Sequence, residues 1–298
     1  MNLTRRDFLA SSMVAAALAA APARAQTTMP AVCVFSKHLG FITDYRALGK
    51  TAKELGVDAL DLTVRKGGHV LPENVTADLP RAVDAIRAEG VDVAMITTNL
   101  NSGDDKDALP ILEAASKAGI RYARVGGLSY SDDGDIVSEL QGFQEQLRGR
   151  ARLLDEYGVT GGYHNHSGGT NMSAVLWDLR QVILAIGSER FGSNFDVGHA
   201  AVEGAYAGWR INARLLAPYV KMMAVKDFVW EGDRPKWVPL GQGIVKTVEF
   251  LKIFRGHGFA GPISLHFEYK TESNDALLEE MRAAAAKLRA YLQEAGYP

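Results

Sequence analysis

The chain has 298 residues, 47% hydrophobic and 23% charged, an ordinary globular balance with enough apolar material for a sizeable core. A formal net charge of −2 gives no electrostatic reason to bind nucleic acid or an anionic membrane surface. The one cysteine, Cys33, excludes an internal disulfide framework and a multi-cysteine zinc site, and reads as a small buried residue on a first strand.

The N-terminus reads as an export signal. "MNLTRRDFLASSMVAAALAAAPARAQ" has a basic start, an apolar run from Met13 to Ala21, and Ala23-Arg24-Ala25 as an A-x-A cleavage site. Thr4-Arg5-Arg6-Asp7-Phe8-Leu9 resembles the twin-arginine signal, in which paired arginines precede a hydrophobic segment. The apolar run is too short for a stable membrane span. The expectation is a cleaved signal over residues 1–25, passage through the twin-arginine export machinery, and a mature protein in the periplasm or outside the cell.

After the signal, short β-rich runs alternate with amphipathic segments. The first strand candidate is "AVCVFS" from Ala31, followed by the helical pattern "DYRALGKTAKELG". Next come "DALDLTV" from Asp58, the helix "DLPRAVDAIRAEG", "VDVAMITT" from Val91, the helix "LPILEAASKAG", and "IRYARVGG" from Ile120. "VTGGYHNH" from Val159, "FGSNFDVGH" from Phe191, "VKMMAVKD" from Val220 and "PISLHFEY" from Pro262 complete the strands. Several helical patterns end in glycine, a usual stop. Eight units about thirty residues apart predict an α/β fold, a (β/α)8 TIM barrel over residues 26–298. A doubly wound sheet would carry a glycine-rich phosphate turn after the first strand, and "SKHLGF" is not one.

In a barrel, catalytic groups sit at the C-terminal strand ends and in the loops that follow. That filter selects Asp61, Arg65, His69, Thr97 to Asn99, Arg124, His164, His166, Asp196, His199, Lys226, Asp227, His266 and Glu268. Six of the seven histidines fall in this layer or its loops, and only His257 lies outside it. His164 and His166, in "GYHNHSGG", are two residues apart, so a strand end would turn both imidazoles one way.

"DLTVRKGGHV", "GYHNHSGG", "FDVGHA", "VKDF", "VPLGQG" and "GFAGPISLHFEY", in this order, resemble the sugar phosphate isomerase/epimerase superfamily, the xylose isomerase-like TIM barrels. That resemblance implies one divalent metal, held by carboxylates on strands five, six and eight and a histidine on strand seven. Carried over by position, Asp196 matches the sixth-strand carboxylate. His199, three residues on, matches a histidine that touches substrate. His164 and His266 stand where strands five and eight commonly have glutamate, and Ala224 stands where strand seven commonly has its histidine. The expected set is therefore His164, Asp196 and His266, whose two imidazoles and one carboxylate favour Mn, Fe, Co or Zn over Mg.

The chemistry the resemblance implies is proton abstraction beside a sugar carbonyl, through an enediolate. Such chemistry needs a base and a group that stabilises the oxyanion. Glu268 is the expected base, with Lys226 and His199 as the other catalytic groups. Arg65, His69 and His166 are expected substrate contacts. The seventh loop, "DFVWEGDRPKWVPLGQG", adds Trp230 and Trp237, whose flat faces suit sugar rings. The expected activity is isomerisation or epimerisation of a free sugar or keto-sugar. Elimination or hydration of an oxidised glycoside, such as a 3-keto-glycoside, is the second reading, and a non-catalytic carbohydrate-binding barrel is the third.

Overall fold

The computed structural model describes residues 28–101 and 105–298. The expected signal at 1–25 lies outside the described residues. Eight parallel strands close into a barrel: β1 (Val32–Phe35), β2 (Ala59–Thr63), β3 (Asp92–Thr97), β4 (Tyr122–Val125), β5 (Thr160–His164), β6 (Phe191–Asp196), β7 (Val220–Val225) and β10 (Ile263–Leu265), with β10 pairing back to β1. The predicted (β/α)8 barrel is the fold observed.

Around the barrel run helices α1 (Tyr45–Glu54), α2 (Val75–Ala88), α3 (Ala108–Lys117), α4 (Ile136–Tyr157), α5 (Leu176–Ile186), α6 (Val197–Glu203), α7 (Gly208–Leu216), α8 (Thr247–Gly256) and α9 (Asn274–Glu294). Their starts follow from sequence. Asp44, Asp135 and Ser273 each accept a backbone N–H of the first turn, from Ala47, Ser138 and Ala276. At the other end, α4 and α5 stop at Gly158 and Gly187 in the left-handed conformation.

Strand alternation separates two interiors. On β2, Leu60 and Leu62 face the helices and join the main core, as do Val32 and Val34 of β1 and Ile263 and Leu265 of β10. Each such leucine, fully buried, contributes about 1.5–3 kcal/mol. Their neighbours Asp61, Thr97, His164, Asp196 and Ser264 are also buried but face the barrel axis, and they carry polar chemistry. The lone thiol, Cys33, is wholly buried on β1, and burial pushes its pKa up. Gly162 is needed for closeness: a Cβ there would meet Met222 Cε at 2.3 Å and Asn194 Cβ at 2.9 Å.

Two local expectations need correction. "FGSNFDVGH" is not one strand. β6 ends at Asp196, whose carboxylate accepts the N–H of His199 at 2.9 Å and so starts α6 there. His199 therefore sits in the first turn of a helix. Nor is "DFVWEGDRPKWV" an open loop: it forms an antiparallel hairpin of β8 (Asp227–Glu231) and β9 (Arg234–Val238). Its two-residue turn has Gly232 at φ 65°, which glycine adopts without strain. Among the described residues no helix is long and apolar enough to cross a membrane.

Candidate active site and metal centre

The polar layer at the C-terminal mouth is built on β5, β6, β7 and the segment after β10. Asp196 is its centre. Its Oδ1 is spent capping α6, while Oδ2 faces the barrel mouth. His164 Nε2 lies 3.6 Å from that Oδ2, and His266 Nδ1 lies 4.0 Å from it. Both expected histidines thus lie near the Asp196 carboxylate, but the expected set of His164, Asp196 and His266 is not the one that closes on a single point. Among the described residues, the trio with donor atoms mutually within 4.8 Å is His164, Asp196 and His199. His199 takes the place expected of His266 because the first turn of α6 carries it over the carboxylate.

Lys226, buried two residues after Ala224, brings a cation into the same layer. Its Nζ is 3.2 Å from Asp196 Oδ2, 2.7 Å from His199 Nε2 and 3.7 Å from Glu268 Oε1. The ammonium donates to His199 Nε2, which leaves His199 Nδ1–H to donate to Ser167 Oγ at 2.8 Å. At 3.2 Å the gross attraction to Asp196 is about 5 kcal/mol at an effective dielectric of about 20, most of it offset by desolvation of both groups. The pair fixes charge geometry more than it stabilises the fold.

The imidazoles are held neutral. Burial pushes His164, His199 and His266 well below the ordinary histidine value, and nearby cations add to it: Arg124 at His164, and Lys226 at the other two. Neutral rings have lone pairs to give. His164 Nδ1 and both nitrogens of His266 are buried without a hydrogen-bond partner in the protein, and Asp196 Oδ2 accepts no well-directed hydrogen bond. Orphaned donors around one carboxylate fit a divalent ion with nitrogen-rich ligation. Glu268, half-buried, behaves differently. Burial alone would raise its carboxyl, but Lys226 and Lys37 outweigh that and hold it below the usual glutamate value. It is an ionised base at neutral pH.

The remaining expected residues divide. Trp237 belongs to the centre: Lys226 Nζ stands 4.2 Å from its ring centroid and the His199 ring meets it edge-on at 5.2 Å. Trp230 packs on Phe228 at 5.2 Å, further out along the hairpin, and is 41% exposed. His166 packs on His199 with ring centroids 3.8 Å apart and planes tilted by 38°, its Nδ1 lies 2.7 Å from Ser167 O, and the residue is exposed. Arg65 lies over the Phe35 ring at 5.6 Å and, with Lys37, Thr43 and His69, lines a hollow of about 140 Å³. Both nitrogens of His69 are engaged within the protein, Nδ1 with Thr63 Oγ1 at 3.1 Å and Nε2 with Ile42 O at 3.2 Å. Its geometry is that of a loop pin.

Three contributors escaped the sequence reading of roles. Asn165, between the two histidines, accepts the N–H of Asp196 at 2.8 Å and donates to its carbonyl at 3.0 Å, clamping β5 to β6 beside the carboxylate. Its only signal is its place inside "HNH". His38, just beyond β1, accepts the N–H of Phe267 at 3.1 Å and packs 6.2 Å from His266, and burial lowers its pKa to about 4. Its position after a strand end was the available signal. Gly198 has none: a Cβ there would meet Lys226 Cγ at 2.7 Å and Trp237 Cζ3 at 3.0 Å, so the lysine reaches the centre only past a bare backbone.

Residues 50–291 match the sequence model of the xylose isomerase-like TIM barrel family. Among curated proteins no sequence matches the chain. Solved structures do resemble it. The IOLI protein with a bound zinc atom has a TM-score of 0.74 at 12% identity, covering 90% of this chain and 99% of that one. A xylose isomerase domain protein from Alicyclobacillus acidocaldarius has a TM-score of 0.71 at 18% identity, covering 90% and 99%. The 3-keto-D-glucoside 4-epimerase YcjR from E. coli, in its apo form, has a TM-score of 0.69 at 14% identity, covering 88% and 99%. At these identities the likeness concerns the fold.

Proposed function

The chain belongs to the xylose isomerase-like TIM barrel family, and from that premise we propose that it is an isomerase or epimerase of a free sugar or keto-sugar, acting by proton abstraction next to the carbonyl. One observation carries this reading: an ionised carboxylate, Glu268, and a buried ammonium, Lys226, stand 3.7 Å apart over a layer of neutral imidazoles. A base and an oxyanion partner in one small volume are what enolisation requires.

In this mechanism Glu268 takes the proton from the carbon beside the carbonyl and returns it to the neighbouring carbon on the same face, while the hydroxyl proton passes to the former carbonyl oxygen. For inversion at one carbon Glu268 is the base alone, and the proton is returned from the opposite face by a second acid. Lys226 donates to the oxygen on which negative charge develops. His199, its Nδ1 fixed by Ser167 and its ring packed against His166, holds the lysine on line. Trp237 gives the sugar ring a flat face, with Trp230, Arg65 and His166 as outer contacts and His69 as the pin of the loop that carries Arg65. His164 and Asp196, with His199 or His266, are the residues that would hold a divalent ion, for which their nitrogen-rich set favours Mn, Co, Fe or Zn over Mg. Bound there, such an ion supplies Lewis-acid stabilisation of the enediolate.

The N-terminal "RRDFLA" and "ARA" motifs support export by the twin-arginine route and work in the periplasm or outside the cell. An exported enzyme meets free sugars and oxidised glycosides rather than sugar phosphates, and the substrate class proposed follows from that. The likeness of the fold to a 3-keto-glucoside epimerase supports including 3-oxidised sugars among the candidates.

The test is incubation of free and 3-oxidised sugars with the protein in deuterated water, with and without Mn or Co, followed by NMR. Deuterium beside the carbonyl, lost in Glu268→Gln, is the expected result, and the product spectrum separates isomerisation from elimination. Absence of exchange with every sugar would overturn the reading in favour of a binding protein.

A further inference from the structure

We propose that Lys226 is a built-in competitor of the divalent ion: the ammonium and the ion claim the same donor atoms, and the ion enters by driving Lys226 toward Glu268. This rests on the reading that His164, Asp196 and a further imidazole form an ion site.

The geometry is restrictive. Of the trio His164, Asp196 and His199, two members already face the lysine, at 3.2 Å from Asp196 Oδ2 and 2.7 Å from His199 Nε2. A neutral imidazole Nε2 has one lone pair, so it accepts from the ammonium or binds an ion, never both. Asp196 offers a single oxygen, because Oδ1 is committed to the α6 N–H. An ion at an ordinary ligand distance of about 2 Å from that oxygen would also meet the like charge of the lysine without intervening solvent.

Sequence explains how the cation came to be there. Ala224 lies in register with Asp196 on one side and Ser264 on the other, so that rung offers a methyl in place of a ligand. Lys226, two residues on, reaches over it. Gly198 leaves room for the lysine stem, and the Trp237 face holds the ammonium at 4.2 Å. Glu268, at 3.7 Å, is the acceptor on which a displaced ammonium lands. The lysine is thus poised between two carboxylates, and only one of its two positions leaves the ion site open.

Calorimetric titration with Mn²⁺, Co²⁺ and Zn²⁺ compares the wild type with Lys226→Met and Lys226→Gln, each first checked for native circular dichroism. Both variants are expected to bind an ion about ten- to a hundredfold more tightly than the wild type. In the wild type, saturation with ion is also expected to change tryptophan fluorescence as the ammonium leaves Trp237, and Trp237→Phe is expected to remove that change. Equal or weaker binding by the variants overturns the competition while leaving the ion site intact. Failure of all three proteins to bind any of these ions overturns both. Should the variants not fold, the wild type alone decides: ion binding without a change at Trp237 overturns the proposal.

Discussion

Asp61 illustrates how burial, rather than pairing, sets a charge in this barrel. Its carboxylate accepts from Thr97 Oγ1 at 2.7 Å and Ser264 Oγ at 2.8 Å, deep in the polar interior. Desolvation nevertheless outweighs these bonds and the charges of Arg124 and Arg65, raising its pKa from 3.8 to about 6. Because the folded value lies above the unfolded one, protonation favours the fold. That stabilisation is complete below about pH 4 and is lost as the pH climbs through about 6. Asp61→Asn removes the titration. The unfolding free energy of the wild type, measured against that variant, is expected to fall by about 3 kcal/mol between pH 4 and pH 7. Denaturant melts at both pH values measure it, and an unchanged difference contradicts the account.

At Glu268, the proposed base, the same reasoning runs with the opposite sign, since the cations around it overcome its burial. Glu268→Gln keeps the shape and removes the base. Proton exchange is expected to drop about 10²–10⁴-fold with the fold intact, as read by NMR exchange rates and thermal melts. Gly198→Ala tests the approach path of the lysine. The added methyl would press Lys226 Cγ and Trp237, both packed, so a loss of about 1–3 kcal/mol in stability is expected. A fall in exchange rate is expected with it, larger than that of an alanine placed at the open Gly208.

At the scale of elements, the hairpin β8–β9 depends on one side chain. Asp227, at the start of β8, accepts backbone N–H groups from Gly241 at 2.9 Å, Gly243 at 3.1 Å and Val245 at 3.0 Å, and from Phe228 beside it. Its carboxylate therefore pins the return of the chain from the hairpin to α8, and with it the placement of Trp237. Gly243 is required there because a Cβ would meet Asp227 Oδ1 at 2.1 Å. Asp227→Ala leaves several backbone donors without their acceptor, at about 1–3 kcal/mol for each one that stays buried. The expected outcome is faster amide exchange and proteolytic nicking across residues 227–245, with the barrel strands still protected.

The elements also show where sequence was readable and where it was not. Strand positions and helix stops were legible because inward alternation and terminal glycines are local signals, and caps such as Asp44 and Ser273 offered a further one that was not used. The hairpin had its signal too, in the alternation of "DFVWE" and "RPKWV" around Gly232-Asp233, but a reading by barrel units absorbed it into a loop. The start of α6 at Asp196 was hidden, since the same aspartate was read as a ligand. A side chain with one oxygen on the helix and one toward the site belongs to both readings.

For the whole molecule, closure of eight strands brings residues more than a hundred apart in sequence, His164 and His266, to a ring separation of 5.8 Å. The place of the candidate site was legible, because barrel strand ends are where polar residues gather and titratable types are conspicuous in a chain with seven histidines. The distances were not, since the 2.7 Å contact of Lys226 with His199 depends on a bare backbone at 198 that leaves room for the lysine stem. With the ion site as proposed, saturating Zn or Co is expected to raise the melting temperature, and excess chelator to reverse it. His164→Ala should abolish the shift.

Cys33 has a use of its own. It is the chain's only sulfhydryl, and it sits on β1 with no exposed surface. No thiol reagent can touch it until the cylinder of strands has come apart. The rate at which it becomes alkylated under native conditions is therefore a clock for whole-barrel opening, readable by mass spectrometry without denaturant or an engineered label.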